Sequence, residues 1–573
     1  MLEFLFYQHG WLRLLLVVIP SGLGFFIGWL MASHNKQLRQ LLLIIVAALT
    51  LFLLVFNNNA LGWSLAMFAG ICGFFIAFGY WFKTSVSKLS ETPTTFGSSR
   101  WANDRDLVAH NVAGLGGIRL GKVKGETMDQ PISYRGDRHL LTVAPTRSGK
   151  GTTQIIPNLL TYEGSMLVID PKGENALITA QRRMDMGQDV HIVDPWGITN
   201  SSGFEVSRFN PLDWLDKADL DVTENAMLLA DALVVGDNHA DSFWTEEAKA
   251  LLQGVILYVA TDDQEDGQRH LGRVRDLLLL DGEQQQEFFR HMLNSHHHVV
   301  ASTGARCLQK EPKLIANVMA SAQAQTHFLD SIRLQDSLRM SDFKFDDLKS
   351  KPMTIYLVLP ADRLNAFSRW LRLLVQQAVT VNARNIEQKP KRPVLFILDE
   401  FASLGRLTMI EQAYGLMAGF GMQLWGIVQD LNQLERIYDK GWQSFIANAG
   451  VINYFGSTDK MTSEYFSSIC GETTVWNFSS ALSRAFGTSS GQGGGSSSDT
   501  QTSSDTRAAT QRKLIYPDEL MRLQDDQQLV LIGNMPPLMA RKTPWFKDND
   551  LKAIGVNLNN AAKQPEGTSE VSP

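Results

Sequence analysis

The stretch Ala144-Pro145-Thr146-Arg147-Ser148-Gly149-Lys150-Gly151 decides the fold. It follows an apolar run, Leu140-Leu141-Thr142-Val143, and precedes a helical pattern over 152–160. Strand, tight glycine-containing loop and helix make the setting of a phosphate-binding loop. There, backbone N–H groups and a helix N-terminus face an anion while a lysine reaches the terminal phosphates. The match to G-x-x-x-x-G-K-[ST] is incomplete. Ala144 stands in the first glycine position and Gly151 in the hydroxyl position, with Thr152 one place later.

A second motif supports the first. Val394-Leu395-Phe396-Ile397-Leu398 is wholly apolar and ends in Asp399-Glu400. Such a run reads as a strand buried on both faces of a parallel sheet, whose carboxyl end is where ligands bind. Phosphoryl transfer to water needs two acids there, one holding Mg²⁺ and one orienting or deprotonating the water. Asp399 takes the metal role and Glu400 the water. Further on, the run from Gly421 to Gln429 reads as the next core strand. Its end residue, Gln429, senses the γ-phosphate, positions water or caps the strand. Together these residues predict a nucleotide triphosphatase.

The chain of 573 residues has room for two or three domains. Its net charge of −6 gives no overall basic footprint for nucleic acid, so a DNA role would rest on local patches or an assembled pore. The three cysteines, Cys72, Cys307 and Cys470, are far apart. That excludes a disulfide framework and a cysteine metal site, and suits a reducing compartment for the soluble part.

The apolar residues are concentrated at the start. Runs over 11–31, 41–56 and 60–82 compare with the roughly 20 residues a spanning helix needs, the second being short. The length of the first run argues against a cleaved signal peptide. His34, Lys36 and Arg39 follow the first run, uncharged Asn57-Asn58-Asn59 the second, and Lys83 and Lys88 the third. The positive-inside rule then predicts three spans, with the first loop and everything after 83 cytoplasmic. Two spans are the alternative.

Beyond this anchor (1–90), strand and helix patterns alternate. Residues 92–137 read as a β-rich entry. Met166-Leu167-Val168-Ile169-Asp170 and Val190-His191-Ile192-Val193-Asp194 read as buried strands of a parallel α/β sheet. Asp170 and Lys172 either line the site or serve the turn. From 216 to 349 the pattern is helical, with three- and four-residue spacing over 223–234, 244–260 and 314–332. Strand-like sequence resumes at Thr354. An inserted all-α domain therefore splits the nucleotide-binding domain into 91–215 and 350–556. His296-His297-His298 reads as a polar loop between helices rather than a metal site. Residues 488–506 are Ser/Gly/Thr-rich and read as flexible, and 557–573 as a disordered tail.

These residues resemble one family. The 144–151 loop, Asp170-Pro171-Lys172-Gly173-Glu174, Phe209-Asn210-Pro211-Leu212, Phe243-Trp244, Asp399-Glu400-Phe401, Val428-Gln429-Asp430 and Pro517-Asp518-Glu519-Leu520 are similar, in order, to motifs of the TraG/VirD-type coupling proteins of conjugation and type IV secretion. The resemblance runs from about Phe96 to about Trp545. It implies transmembrane helices followed by a RecA-like P-loop NTPase domain with an inserted all-α domain, an inner-membrane location and a homo-hexamer. It further implies that Thr146, Arg147, Ser148, Gly149, Lys150, Gly151 and Thr152 hold ATP, with Thr152 and Asp399 on Mg²⁺. Arg138 is placed like a family arginine that reaches a neighbour's nucleotide. A second such arginine, expected after Asp399-Glu400, is missing from Leu416-Met417-Ala418-Gly419-Phe420, with Arg406 a substitute. The implied partners are a relaxase–single-stranded DNA complex or secreted effector proteins, together with channel components. Two other functions compete: a double-stranded DNA pump of the septal type, and a non-hydrolysing recruiting scaffold, against which intact Lys150, Asp399 and Glu400 argue.

Overall fold

The computed structural model describes residues 24–28, 73–83, 94–125, 129–235, 242–489 and 496–558. It divides into two compact units: the chain up to Ser98 with Thr473–Arg512, and Ser99–Glu472 with Lys513 onward.

In the first unit, residues 24–28 and 73–83 are helical. Phe25 lies 6.1 Å from both Phe78 and Phe82, ring centroid to centroid, while Phe26, Phe74 and Trp81 are exposed. The expected span over 41–56 and most of the other two lie outside the described residues. Among the described residues no helix is long and apolar enough to cross a membrane.

The second unit is built on an eleven-stranded sheet. Its strands are β1 (Ile118–Lys124), β2 (Asp129–Tyr134), β3 (Leu140–Val143), β4 (Met166–Asp170), β5 (Asp189–Val193), β6 (Met353–Val358), β7 (Val394–Leu398), β8 (Met422–Val428) and β9 (Val451–Tyr454). Later in the chain, β10 (Glu472–Ser489) and β11 (Ser496–Lys513) pair with each other as a separate sheet, and β12 (Gln527–Ile532) and β13 (Leu538–Arg541) return to the large one. The order is β2-β1-β13-β12-β9-β3-β8-β7-β4-β6-β5.

From β9 to β5 every pairing is parallel. β4, β6, β7 and β8 are buried at every residue, the consequence of helices covering both faces. The strands expected over 166–170 and 190–194 lie in this parallel part, to which β12, β13, β1 and β2 add an antiparallel extension. Short connections between β1 and β2 and between β12 and β13 leave no room for the crossover a parallel pair requires.

Between β5 and β6 the named elements are all helical. The expected helices appear as Val222–Leu233, Ser242–Thr261 and Pro312–Thr326. The last gives way after Thr326 to a 3₁₀ turn, His327–Asp330, and the buried Arg275 is anchored at this junction. Arg275 donates to the Gln323 carbonyl at 2.7 Å and pairs with Asp330 at 2.7 Å. The helix Leu364–Arg384 then lies against this region. Its buried Arg372 donates to the Ala232 carbonyl at 2.9 Å and to the Leu404 carbonyl at 3.3 Å, joining the helical stretch to the loop after β7. Of the segment 488–506, residues 488–489 and 496–506 lie in β10 and β11. Ser/Thr-rich composition therefore does not keep these described residues out of regular structure; β-branched threonines favour an extended backbone.

His139 enters β3 fully buried. Leu424 N–H donates to its Nδ1 at 3.1 Å, so Nε2 carries the proton and donates to the Ala413 carbonyl at 2.8 Å. Burial pushes its pKa down to about 4. An unfolded histidine protonates near pH 6.5, so the stability this neutral ring contributes is intact above that value and is lost as pH falls toward 4, at about 1.4 kcal/mol per unit. Thermal melts of wild type and His139→Gln should therefore converge on acidification from pH 6.5 to 4.5; parallel curves would reject this assignment.

Candidate active site

The loop after β3 is held at its base by the Ala144 N–H, which donates to the Val428 carbonyl of β8 at 2.8 Å. Its tip turns through positive φ at Arg147 (64°) and Gly149 (88°), with Thr146 and Arg147 exposed. The helix that follows opens as a π turn, Gly151–Ile155, closed by Ile156 N–H on the Gly151 carbonyl. A π turn accommodates one residue more than an α turn. Gly151, the residue that spoils the sequence pattern, is thus absorbed as an insertion. Thr152 and Thr153 then both turn their hydroxyls toward the Gly149 carbonyl, at 3.2 and 2.8 Å. Among the first N–H groups of this helix, that of Thr153 donates back to the Gly149 carbonyl at 2.9 Å; the N–H groups that open a helix ahead of it are the ones that suit an anion.

Three neighbouring strands bring the charged groups together. β8 lies between β3 and β7, so Gln429, just past β8, sits between the loop and the acids. Lys150 Nζ lies 2.7 Å from Asp399 Oδ1 and 2.6 Å from Glu400 Oε1. Gln429 Nε2 donates to Glu400 Oε2 at 3.1 Å. Burial disfavours the Lys150 charge, but Asp399 and Glu400 outweigh it and hold its pKa above the usual lysine value. Glu400 itself has φ 56° and ψ 43°, a left-handed conformation that costs a non-glycine residue on the order of 1 kcal/mol. That turn re-aims the side chain toward Lys150 rather than continuing the strand. Gln429 is fixed from behind: its N–H donates to Gln433 Oε1 at 2.9 Å, and Asp430 caps the helix Leu431–Tyr438 through the Gln433 N–H at 2.9 Å.

The chain matches the family of type IV secretory system conjugative DNA transfer proteins over residues 97–567. It belongs to that family. Its relatives include Protein VirD4 of Rhizobium radiobacter, 29% identical over 82% of this chain, and the conjugal transfer protein TraG of Escherichia coli, 26% identical over 79%. The chain spans 66% of that VirD4 protein's length, just under two thirds, and 76% of that TraG protein's. Among solved structures it is similar to the bacterial conjugative coupling protein TrwB, with TM-score 0.54 and 17% identity over 74% of this chain and 89% of that one. TrwB in complex with ADP and Mg²⁺ gives TM-score 0.53 over 71% of this chain. The likeness shows a shared mixed α/β sheet core.

Within this family member the remaining candidate residues have other partners. Arg138 precedes β3, at the end of that strand opposite the loop, and donates to the Ala447 carbonyl at 3.0 Å. Arg406 lies 3.6 Å from Glu411. Asp170 serves the turn: it accepts the Ala176 N–H at 2.9 Å and the Lys172 N–H at 3.4 Å. Burial pushes it up to about 7, with those hydrogen bonds opposing and the Asp399 charge adding to the rise. Ser148 Oγ is buried, with no hydrogen-bond partner among the described residues.

Two groups next to the loop escaped the sequence reading. Lys542, just past β13, donates to the Ser148 carbonyl at 3.1 Å from 394 positions away. Gln154 and Gln528 join the helix after the loop to β12 at 2.9 Å. No spacing pattern encodes such pairs. Only the antiparallel return of β12 and β13 across β9 creates them.

Proposed function

We propose that this chain is a membrane-anchored coupling ATPase. It recruits relaxase-bound single-stranded DNA, secreted effector proteins or both to a type IV secretion channel and hydrolyses ATP to drive transfer. The N-terminal 90 residues would hold it in the inner membrane with the remainder cytoplasmic. Residues 91–215 and 350–556 would form the nucleotide-binding domain, 216–349 an inserted helical domain that chooses cargo, and six copies a ring with ATP between neighbours. The observation that carries this reading is the convergence of Lys150, Asp399, Glu400 and Gln429 at the ends of adjacent strands, in a family member.

The residues fit a nucleotide phosphate and Mg²⁺. Helix N–H groups and a lysine suit the anion, and the Asp399 carboxylate and Thr152 hydroxyl are hard oxygen ligands. The ion, when bound, offsets charge developing on the phosphate oxygens. Lys150 bridges both acids, and a phosphate in the loop competes with them for its ammonium. Its movement toward phosphate frees Glu400 Oε1 to accept a proton from the attacking water, while Gln429 holds Oε2 in place. Lys150 thereby links phosphate arrival to the presence of a working base. Thr146, Arg147, Ser148, Gly149 and Gly151 frame the anion through the loop backbone.

Phosphate release by the full chain in lipid vesicles, with single-stranded or duplex DNA, tests this reading. Hydrolysis stimulated by single strands is expected. An inactive wild type would favour a recruiting scaffold, and stimulation by duplex alone would favour a double-stranded DNA pump.

A further inference from the structure

The Lys542 ammonium has an unusual setting. It is 6% exposed, donates to the Ser148 carbonyl at 3.1 Å and lies 4.3 Å from the Phe455 ring centroid. Phe455 is itself tied to the loop strand, its N–H donating to the Val143 carbonyl at 3.0 Å. The Lys542 N–H donates to the Asp526 carbonyl at 2.7 Å, which anchors the residue to the start of β12. Burial pushes the ammonium down to about 8, with Asp525 and Asp526 opposing, so it keeps its charge at neutral pH.

We propose that Lys542 is a positioning residue of the nucleotide site, fixing the orientation of the Ser148–Gly149 peptide so that the Gly149 N–H faces phosphate. A trans peptide directs its C=O and N–H to opposite sides. Holding the Ser148 oxygen outward therefore aims the Gly149 hydrogen inward. The loop needs this restraint because Gly149, at φ 88°, tolerates either orientation of the preceding peptide at little cost. The same hairpin grips the following helix independently. Gln154 Nε2 donates to Gln528 Oε1 at 2.9 Å, while Gln154 Oε1 accepts from Thr142 and Asn453 at 3.3 Å each. β12 and β13 thus brace the loop at its turn and at its helix, from a part of the chain far away in sequence.

The proposal rests on the nucleotide reading of the loop, and a purely structural role predicts something different. A buried lysine held by one carbonyl and one ring is a poor source of stability, and an apolar residue of similar shape commonly serves as well or better. Lys542→Met should therefore melt no earlier than wild type.

The test uses ADP with Mg²⁺ as the probe and the full chain in vesicles, with Lys150→Ala as control. Lys542→Met is expected to weaken ADP binding about tenfold, the usual worth of a charged hydrogen bond, with Lys542→Arg recovering most of it. Lys542→Gln stands in if the Met variant melts early. ADP affinity equal to wild type in Lys542→Met, or no recovery in Lys542→Arg, would overturn the positioning role. Absence of binding in wild type as well as Lys150→Ala would instead overturn the nucleotide reading, and this inference with it.

Discussion

Glu400→Gln should abolish ATP turnover while leaving nucleotide binding nearly intact, a loss of about 10²–10⁴-fold in rate, the typical worth of a positioned general base. Glutamine is isosteric and keeps an oxygen for the Lys150 ammonium, now 2.6 Å from Glu400 Oε1. Its amide NH₂ meets the Gln429 NH₂ that currently donates at 3.1 Å, a mismatch that rotation of the Gln429 amide resolves. What the substitution removes is the ability to take a proton. Lys150→Ala should behave differently: it removes the cation facing phosphate and leaves Asp399 and Glu400 side by side without it, so binding and turnover fall together. Phosphate release measured alongside equilibrium ADP binding separates the two cases. Turnover in Glu400→Gln within tenfold of wild type would deny Glu400 its role and leave Gln429 or a water chain to orient the nucleophile.

The contrast between these two residues and Lys542 shows what a sequence can carry. Lys150 and Asp399-Glu400 were legible because each follows an apolar run, and the ends of parallel strands converge on one edge of a sheet by geometry alone. Gln429 was legible for the same reason, since β8 is buried at every residue and stops just before it. The helices of 222–261 were legible from their spacing. The antiparallel extension was not. β13 is four residues long and β1 carries lysines and an arginine, so neither shows the continuous apolar pattern of a central strand. With β12 and β13 unplaced, Lys542 and Gln528 had no neighbours to act on. The π turn at Gly151 was hidden for another reason: an inserted residue and a substituted one look alike in a pattern, and only backbone hydrogen bonding distinguishes them.

Arg138→Ala is expected to lower turnover by about 10³–10⁵-fold, the range for an arginine supplied to a phosphoryl transition state, and the loss should be repairable by a different subunit. Within one chain the arginine cannot do this work. Six residues of extended backbone at about 3.3 Å each put it roughly 20 Å from Ala144, well beyond the reach of an arginine side chain. It is half-buried at the opposite end of β3, where its guanidinium donates to the Ala447 carbonyl. We propose that the chains form a ring whose subunits meet head to tail, with that end of one chain brought against the loop end of the next. Co-expressed Arg138→Ala and Glu400→Gln chains would then form some complete sites, each combining the first chain's Lys150 and Glu400 with the second chain's Arg138. Random assortment makes about a quarter of the interfaces complete. Turnover of the mixture should rise far above either variant alone, whereas the double variant co-expressed with Glu400→Gln should stay inactive because no interface is complete. A mixture no more active than its parts would confine Arg138 to its hydrogen bond with Ala447, and the transition-state cation would have to come from elsewhere, with Arg406 the next residue to substitute.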